Sequence, residues 1–178
     1  MSGLKQRYFV DVVGLFLLAF VAAVGSAQAD DLYGWRLAAG AARAADAEIF
    51  STNALTTGAR AIDYHPVLTI SCDRARPEVW SQSIRLRVPI AGRAGVDVSV
   101  RIDGRGKTRE NWRLGDKNRS IVLDGEAGIS RIAGAGRMRV GWRIGFFAGD
   151  GEAVFLLNGI GDTLTTLAAT CGVPVPGG

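Results

Sequence analysis

Val96-Asp97-Val98-Ser99-Val100-Arg101-Ile102 alternates apolar and polar residues over seven positions. Successive side chains of a strand point to opposite faces, so Val96, Val98, Val100 and Ile102 share one face and Asp97, Ser99 and Arg101 the other. Residues 137–144 repeat the pattern, with Met138, Val140, Trp142 and Ile144 opposed to Arg137, Arg139 and Arg143. One face belongs in a core and the other in water, the habit of an antiparallel sheet.

Working outward, residues 67–72, 84–88, 120–123 and 153–157 complete six predicted strands. Pro89-Ile90-Ala91-Gly92, Asp103-Gly104-Arg105-Gly106 and Gly149-Asp150-Gly151 supply turn residues between runs. The period then changes. Ile160, Leu164, Leu167, Ala168 and Cys171 form the stripe of an amphipathic helix, with Asn158 or Asp162 as its cap and Gly172 and Pro174 as its stop. The tail, 173–178, is expected to fray. Upstream, the alanine-rich run 38–47 reads as a short helix or an irregular strand. The expected fold is mainly β: a small antiparallel β-sandwich-like domain with a C-terminal α-helix. Its core spans 67–172, and 30–66 form an N-terminal extension of that domain.

The first 29 residues carry a different signal. Lys5 and Arg7 precede an apolar core at 12–24, and Ala27-Gln28-Ala29 is a small-x-small site before Asp30 and Asp31. This predicts a secretory signal peptide cut after Ala29 and a periplasmic product. The apolar core is short against the roughly 20 residues that span a bilayer, so no stable membrane span is expected after cleavage. Residue 30 is not the cysteine that a bacterial lipoprotein would carry there. Of the 178 residues, 149 remain after the cut, enough for one domain. Lys107 and Lys117 are its only lysines, the other cations being arginines, and no Lys/Arg cluster with interleaved aromatics suggests nucleic acid.

Cys72 and Cys171 are the two cysteines, and in an oxidising compartment a single disulfide between them is the natural inference. Two free thiols or an intermolecular bridge are the alternatives. If bridged, Cys171 on the buried stripe would pin the terminal helix to the strand ending at Cys72. Metal binding is not expected, because His65 is the sole histidine and there is no C-x-x-C pair. Asp150-Gly151-Glu152 is far shorter than a calcium loop. No cofactor is expected either, since Gly104-x-Gly106 and Gly134-x-Gly136 lack the strand, third glycine and helix of a phosphate loop.

No catalytic constellation stands out. There is no G-x-S-x-G elbow, and the alternative of a small hydrolase or effector would need His65 beside a carboxylate such as Glu110 or Asp116. The arginine stripes carry more chemistry. Arg85 and Arg87 alternate with apolar residues, and Arg101, Arg137, Arg139 and Arg143 lie on the polar sides of their strands. One outer face could thus present several guanidinium groups to phosphates of lipopolysaccharide or carboxylates of cell-wall peptides. An ordinary solvated exterior, with Arg paired to Asp and Glu, is the competing reading.

Val67-Leu68-Thr69-Ile70-Ser71-Cys72, then Arg101-Ile102-Asp103-Gly104, then Trp112, then Phe155-Leu156-Leu157-Asn158-Gly159-Ile160, and a helix ending in Cys171 make an order that resembles the VasI/TagO-type periplasmic accessory proteins associated with type VI secretion. The resemblance spans residues 67–171. It implies a β-sandwich-like domain with Cys72 and Cys171 bridged, acting without catalysis in envelope assembly or cell-wall contact, its partner an envelope or secretion-system protein. The invasion-associated locus B proteins are similar in size, signal and sheet-rich character. Asp103-Gly104 is expected to turn the chain after a strand, with Arg101 paired or presented to a ligand. Trp112 is either an exposed aromatic of a binding loop or a core lid.

Overall fold

The computed structural model describes residues 34–39, 44–56, 62–76, 78–90, 95–145 and 149–177. The expected signal peptide, and Ala91 and Gly92 of one expected turn, lie outside them. The strands are β1 (Arg36–Ala39), β2 (Ala44–Phe50), β3 (Leu55–Thr56), β4 (Asp63–Tyr64), β5 (Val67–Asp73), β6 (Trp80–Arg85), β7 (Val96–Ile102), β8 (Thr108–Leu114), β9 (Ser120–Asp124), β10 (Arg137–Gly145) and β11 (Gly149–Leu156). A short helix α1 (Glu126–Ser130) and a long one, α2 (Ile160–Cys171), complete the fold. Among the described residues, nine strands form one antiparallel sheet in the order β1-β2-β5-β6-β9-β8-β7-β10-β11, and β3 and β4 pair as a separate ribbon.

The sheet rolls on itself at β8. Residues 108–112 of β8 pair with β7, whereas Arg113 and Leu114 pair with Val122 and Ile121 of β9. The inner faces of both halves contribute to a single core. The far ends also meet: the Thr52 N–H donates to the Val154 carbonyl at 2.7 Å, and the Asn53 amide accepts from the Val154 N–H and donates to the Glu152 carbonyl. Asn53 thereby satisfies part of the edge that β11 would otherwise leave open. The expected mainly β, antiparallel domain with a C-terminal helix is present, its two facing halves continuous in one sheet.

Val96, Val98 and Val100 of β7 and Met138, Val140 and Trp142 of β10 are all buried, so the alternation that defines these strands is obeyed. Gly151 lies opposite Trp142 in the ladder, and a Cβ there would come within 2.8 Å of the indole. The segment 149–151, expected as a turn, is therefore the start of β11, its glycine making room for a tryptophan.

Of the run 38–47, the described residues 38–39 and 44–47 are strand, and 40–43 lie outside the described residues. The run supplies the end of β1 and the first half of β2, where Ala45, Ala47 and Ile49 are buried and Asp46 and Glu48 face out. Small residues leave space for α2, which packs on β2 and β5. Its predicted stripe, Ile160, Leu164, Leu167, Ala168 and Cys171, is buried throughout. Gly172 at φ +65° ends the helix in the left-handed conformation. Its start differs from expectation: Gly159 occupies the cap with no side-chain hydrogen bond, so neither Asn158 nor Asp162 caps it. The strand expected at 84–88 is Trp80–Arg85, because the buried polar residues Ser81 and Gln82 between Trp80 and Ile84 hide its alternation.

Cys72 and Cys171 are bridged across 99 residues, and both are buried. Residues 173–177 of the tail pack against the domain, and Gly178 lies outside the described residues. Val173 packs on the core, Pro176 is buried and Gly177 lies against Ser130.

Two stability changes follow from this packing. Replacing both cysteines by alanine removes a cross-link whose loop-closure value is about 4.7 kcal/mol, and should lower the Tm by about 9–19 °C, measured by calorimetry against the oxidised wild type. Gln82 is buried at 1% exposure with neither amide atom hydrogen-bonded. Gln82→Met preserves its bulk and removes the unsatisfied amide, so urea unfolding should show a gain of about 1–3 kcal/mol; a loss would mean that the amide is used.

Candidate functional site

The outer face of β8, β7, β10 and β11 gathers most of the residues singled out in the sequence. Because register fixes which side chains are neighbours, the face can be read row by row. Arg101 on β7 lies directly opposite Arg139 on β10. In the next row Arg109, Ser99, Gly141 and Glu152 follow one another across the four strands. Beyond it, Asn111 is opposite Asp97, and Arg143 is opposite Asp150. Arg137 stands two residues before Arg139 on the same face.

Counter-charges are few. Arg139 reaches Glu152 at 3.5 Å and Arg143 reaches Asp150 at 4.0 Å, both among well-exposed side chains where an ion pair contributes little. Among the described residues, Arg101, Arg109, Arg137 and Lys107 make no ion pair. Ser99 and Gly141 carry almost no side chain, and a depression of about 250 Å³ opens over them, ringed by Lys107, Arg109, Arg143, Asp97, Asp150 and Glu152. The Ser99 hydroxyl donates to the Gly141 carbonyl at 3.4 Å, and the Asn111 amide donates to Asp97 at 3.4 Å.

Two other expected site residues are structural. Asp103 has φ +48°, and its carboxylate accepts the backbone N–H groups of Gly136 at 3.0 Å and Arg137 at 2.8 Å. Through Oδ1 it clamps the start of β10 to the turn after β7, and so positions Arg101 and Arg137. Trp112 is fully buried, the core lid rather than an exposed aromatic. Its Nε1–H donates to Glu110 at 2.9 Å.

Glu110 is the most heavily engaged carboxylate. Thr108 donates to it at 3.2 Å, and the Arg131 guanidinium just after α1 grips both of its oxygens, one at 3.0 Å. Burial pushes its pKa up, but the hydrogen bonds from Arg131 and Trp112 and the Arg131 charge outweigh this and hold it below the usual carboxylate range. A carboxylate so committed is a poor general acid or base. His65 belongs elsewhere: Nδ1 faces the Ser51 carbonyl at 2.8 Å, so that nitrogen carries the proton, and no hydrogen bond among the described residues links it to Glu110 or Asp116. No group of three or more His, Cys, Asp or Glu side chains able to hold a metal occurs among the described residues.

The other half of the sheet has a second groove, about 570 Å³, floored by Thr69, Ser71, Ser83 and Ser120 and flanked by Asp46, Glu48, Asp116, Arg85, Arg87 and Arg119. Here Glu48 is paired with Arg85 at 3.3 Å. Sequence reasoning did not anticipate β8, and so did not place Arg109 beside Ser99. Its inner face carries Thr108 and Glu110 as well as Trp112 and Leu114, which breaks the apolar period; the alternation of Trp112 and Leu114 with Arg113 was the available signal. No family model, curated protein or solved structure matches the chain.

The grip on Glu110 sets a pH dependence. Its folded-state pKa is depressed, so the stabilisation is present above the unfolded-state value and is lost as pH falls through the folded one. Glu110→Ala also strands the Trp112 N–H, at a cost of about 1–3 kcal/mol near neutrality. The stability gap between wild type and this variant should therefore narrow in acid, and thermal melts at pH 7 and below pH 4 compare the two directly.

Proposed function

We propose that this chain is an exported, non-catalytic binding module of the cell envelope. Its arginine face on β7 and β10 holds phosphate or carboxylate groups of envelope polymers while it serves a larger envelope machine, as the resemblance to VasI/TagO-type accessory proteins implies. The observation that carries the reading is the direct opposition of Arg101 and Arg139 with Arg137 beside them. Like charges directly opposite in a sheet are destabilising, and guanidinium forks relieve the repulsion best by sharing a bidentate anion. The face lies on regular strands, so its geometry is set before a ligand arrives. A buried disulfide stapling the terminal helix suits an oxidising compartment.

The test is the triple charge reversal Arg101→Glu, Arg137→Glu and Arg139→Glu. Wild-type protein should bind vesicles containing lipid A or purified cell-wall sacculi, more weakly as salt rises, and should ignore phosphatidylcholine vesicles. The variant should lose at least about tenfold in affinity, equivalent to about 1.4 kcal/mol, with an unchanged circular dichroism spectrum. Preference for lipid A would assign the anion as phosphate, and preference for sacculi as carboxylate. Equal binding by a folded variant would refute the arginine face.

A further inference from the structure

We propose that the depression over Ser99 and Gly141 binds a short zwitterionic peptide, with its carboxylate at the Arg109 end and its amine at the Glu152 end. This deepens the reading of the arginine face and rests on that surface being one for ligands. The row Arg109-Ser99-Gly141-Glu152 crosses four hydrogen-bonded strands in register, so its polarity is fixed by the sheet. A cation stands at one end, an acid at the other, and two of the smallest residues lie between them.

The end groups are open to a ligand. Among the described residues Arg109 and the adjacent Lys107 have no ion pair, and the contact of Glu152 with Arg139 is 3.5 Å long with the Glu152 side chain 54% exposed. Asp150 adds a second acid beside Glu152, 84% exposed and 4.0 Å from Arg143. An anion without an amine would meet these two carboxylates, and a cation without a carboxylate would meet Arg109 and Lys107. A molecule bearing both charges at its two ends satisfies both. Three inter-strand spacings of about 4.8 Å put the backbones of Arg109 and Glu152 about 14 Å apart. Their side chains lean across part of that gap, leaving room for about three residues at 3.3–3.6 Å each. Glycine and serine on the floor keep a peptide backbone close to the sheet. The volume of about 250 Å³ matches a ligand of that size and not a folded partner.

The full chain, labelled with ¹⁵N, would be titrated with tri-alanine, with N-acetyl-tri-alanine, which lacks the amine charge, and with tri-alanine amide, which lacks the carboxylate. Tri-alanine should shift the Ser99, Gly141 and Glu152 resonances saturably, and each capped form should bind at least tenfold more weakly. In Glu152→Gln the penalty for acetylation should vanish, and in Arg109→Gln the penalty for amidation should vanish, with all other resonances in place. Co-sedimentation with sacculi that tri-alanine competes away would put the peptide on the cell wall; tri-alanine binding without co-sedimentation would make it a soluble peptide. No saturable shift overturns the slot. Equal binding of the acetylated peptide also overturns it but leaves the arginine face standing, whereas failure of the lipid A and sacculus assay with tri-alanine still bound removes the polymer-binding reading alone.

Discussion

Everything in this fold depends on β8 having two partners. Its first five residues extend the β7-β10-β11 half, and its last two cross to β9. A flat nine-stranded antiparallel sheet would leave one apolar face in water, and the strand that changes partner lets that face fold onto itself. Trp112, just before the change, is fully buried and anchored through Glu110 to Arg131. Arg113, just after it, spans the seam with a bidentate grip on Asp124, one contact at 2.8 Å. The two residues hold the corner from inside and outside. The Asn53 contacts with β11 then secure the opposite end of the roll, where the sheet would otherwise present an unpaired edge.

A rolled sheet needs its opening filled, and α2 does this. Its apolar stripe meets Ala45 and Ala47 on β2, where larger side chains would hold the helix away, and the Cys72–Cys171 bridge fastens it to β5. The cross-link closes a loop of 99 residues, from the end of β5 to the end of α2, so it acts chiefly by denying the unfolded chain conformations. Alanine is a poor strand former. Here its use follows from what lies above it: propensity yields to the space that a helix requires.

That trade explains which elements could be read beforehand. Strands β7 and β10, the helix stripe, the Gly172 stop and the Asp103-Gly104 turn were legible, because their patterns follow from one-sided burial and local backbone geometry alone. What escaped depends on partners distant in sequence. Gly151 looks like a turn residue until Trp142 is known to lie opposite it. Glu110 looks like a surface residue until Arg131 is known to cover it. Of the candidate site, Arg101, Arg137, Arg139 and Arg143 could be assigned to polar faces from alternation, but register alone could set Arg101 against Arg139 or bring Arg109 and Glu152 into one row.

Register also bears on whether the arginines are a compositional accident. A coding bias toward arginine would scatter it over every outer face. Among the described residues, the outward positions of β1, β2, β5, β6 and β9 carry Asp46, Glu48, Asp73 and Asp124 with Arg36 and Arg85 as cations, and several hydroxyls. The outward positions of β7, β8, β10 and β11 carry Arg101, Arg109, Arg113, Arg137, Arg139 and Arg143, with Asp97, Asp150 and Glu152 as their acids. One continuous sheet thus has a half in which acids outnumber cations and a half in which arginines outnumber acids. Repulsion within each would be lower if the charges were mixed, so the segregation costs stability that the core and the disulfide offset. A bias acting on composition alone has no means of sorting charge between the halves of a sheet, so the excess of arginine on one half belongs to the register of the strands and not to the composition.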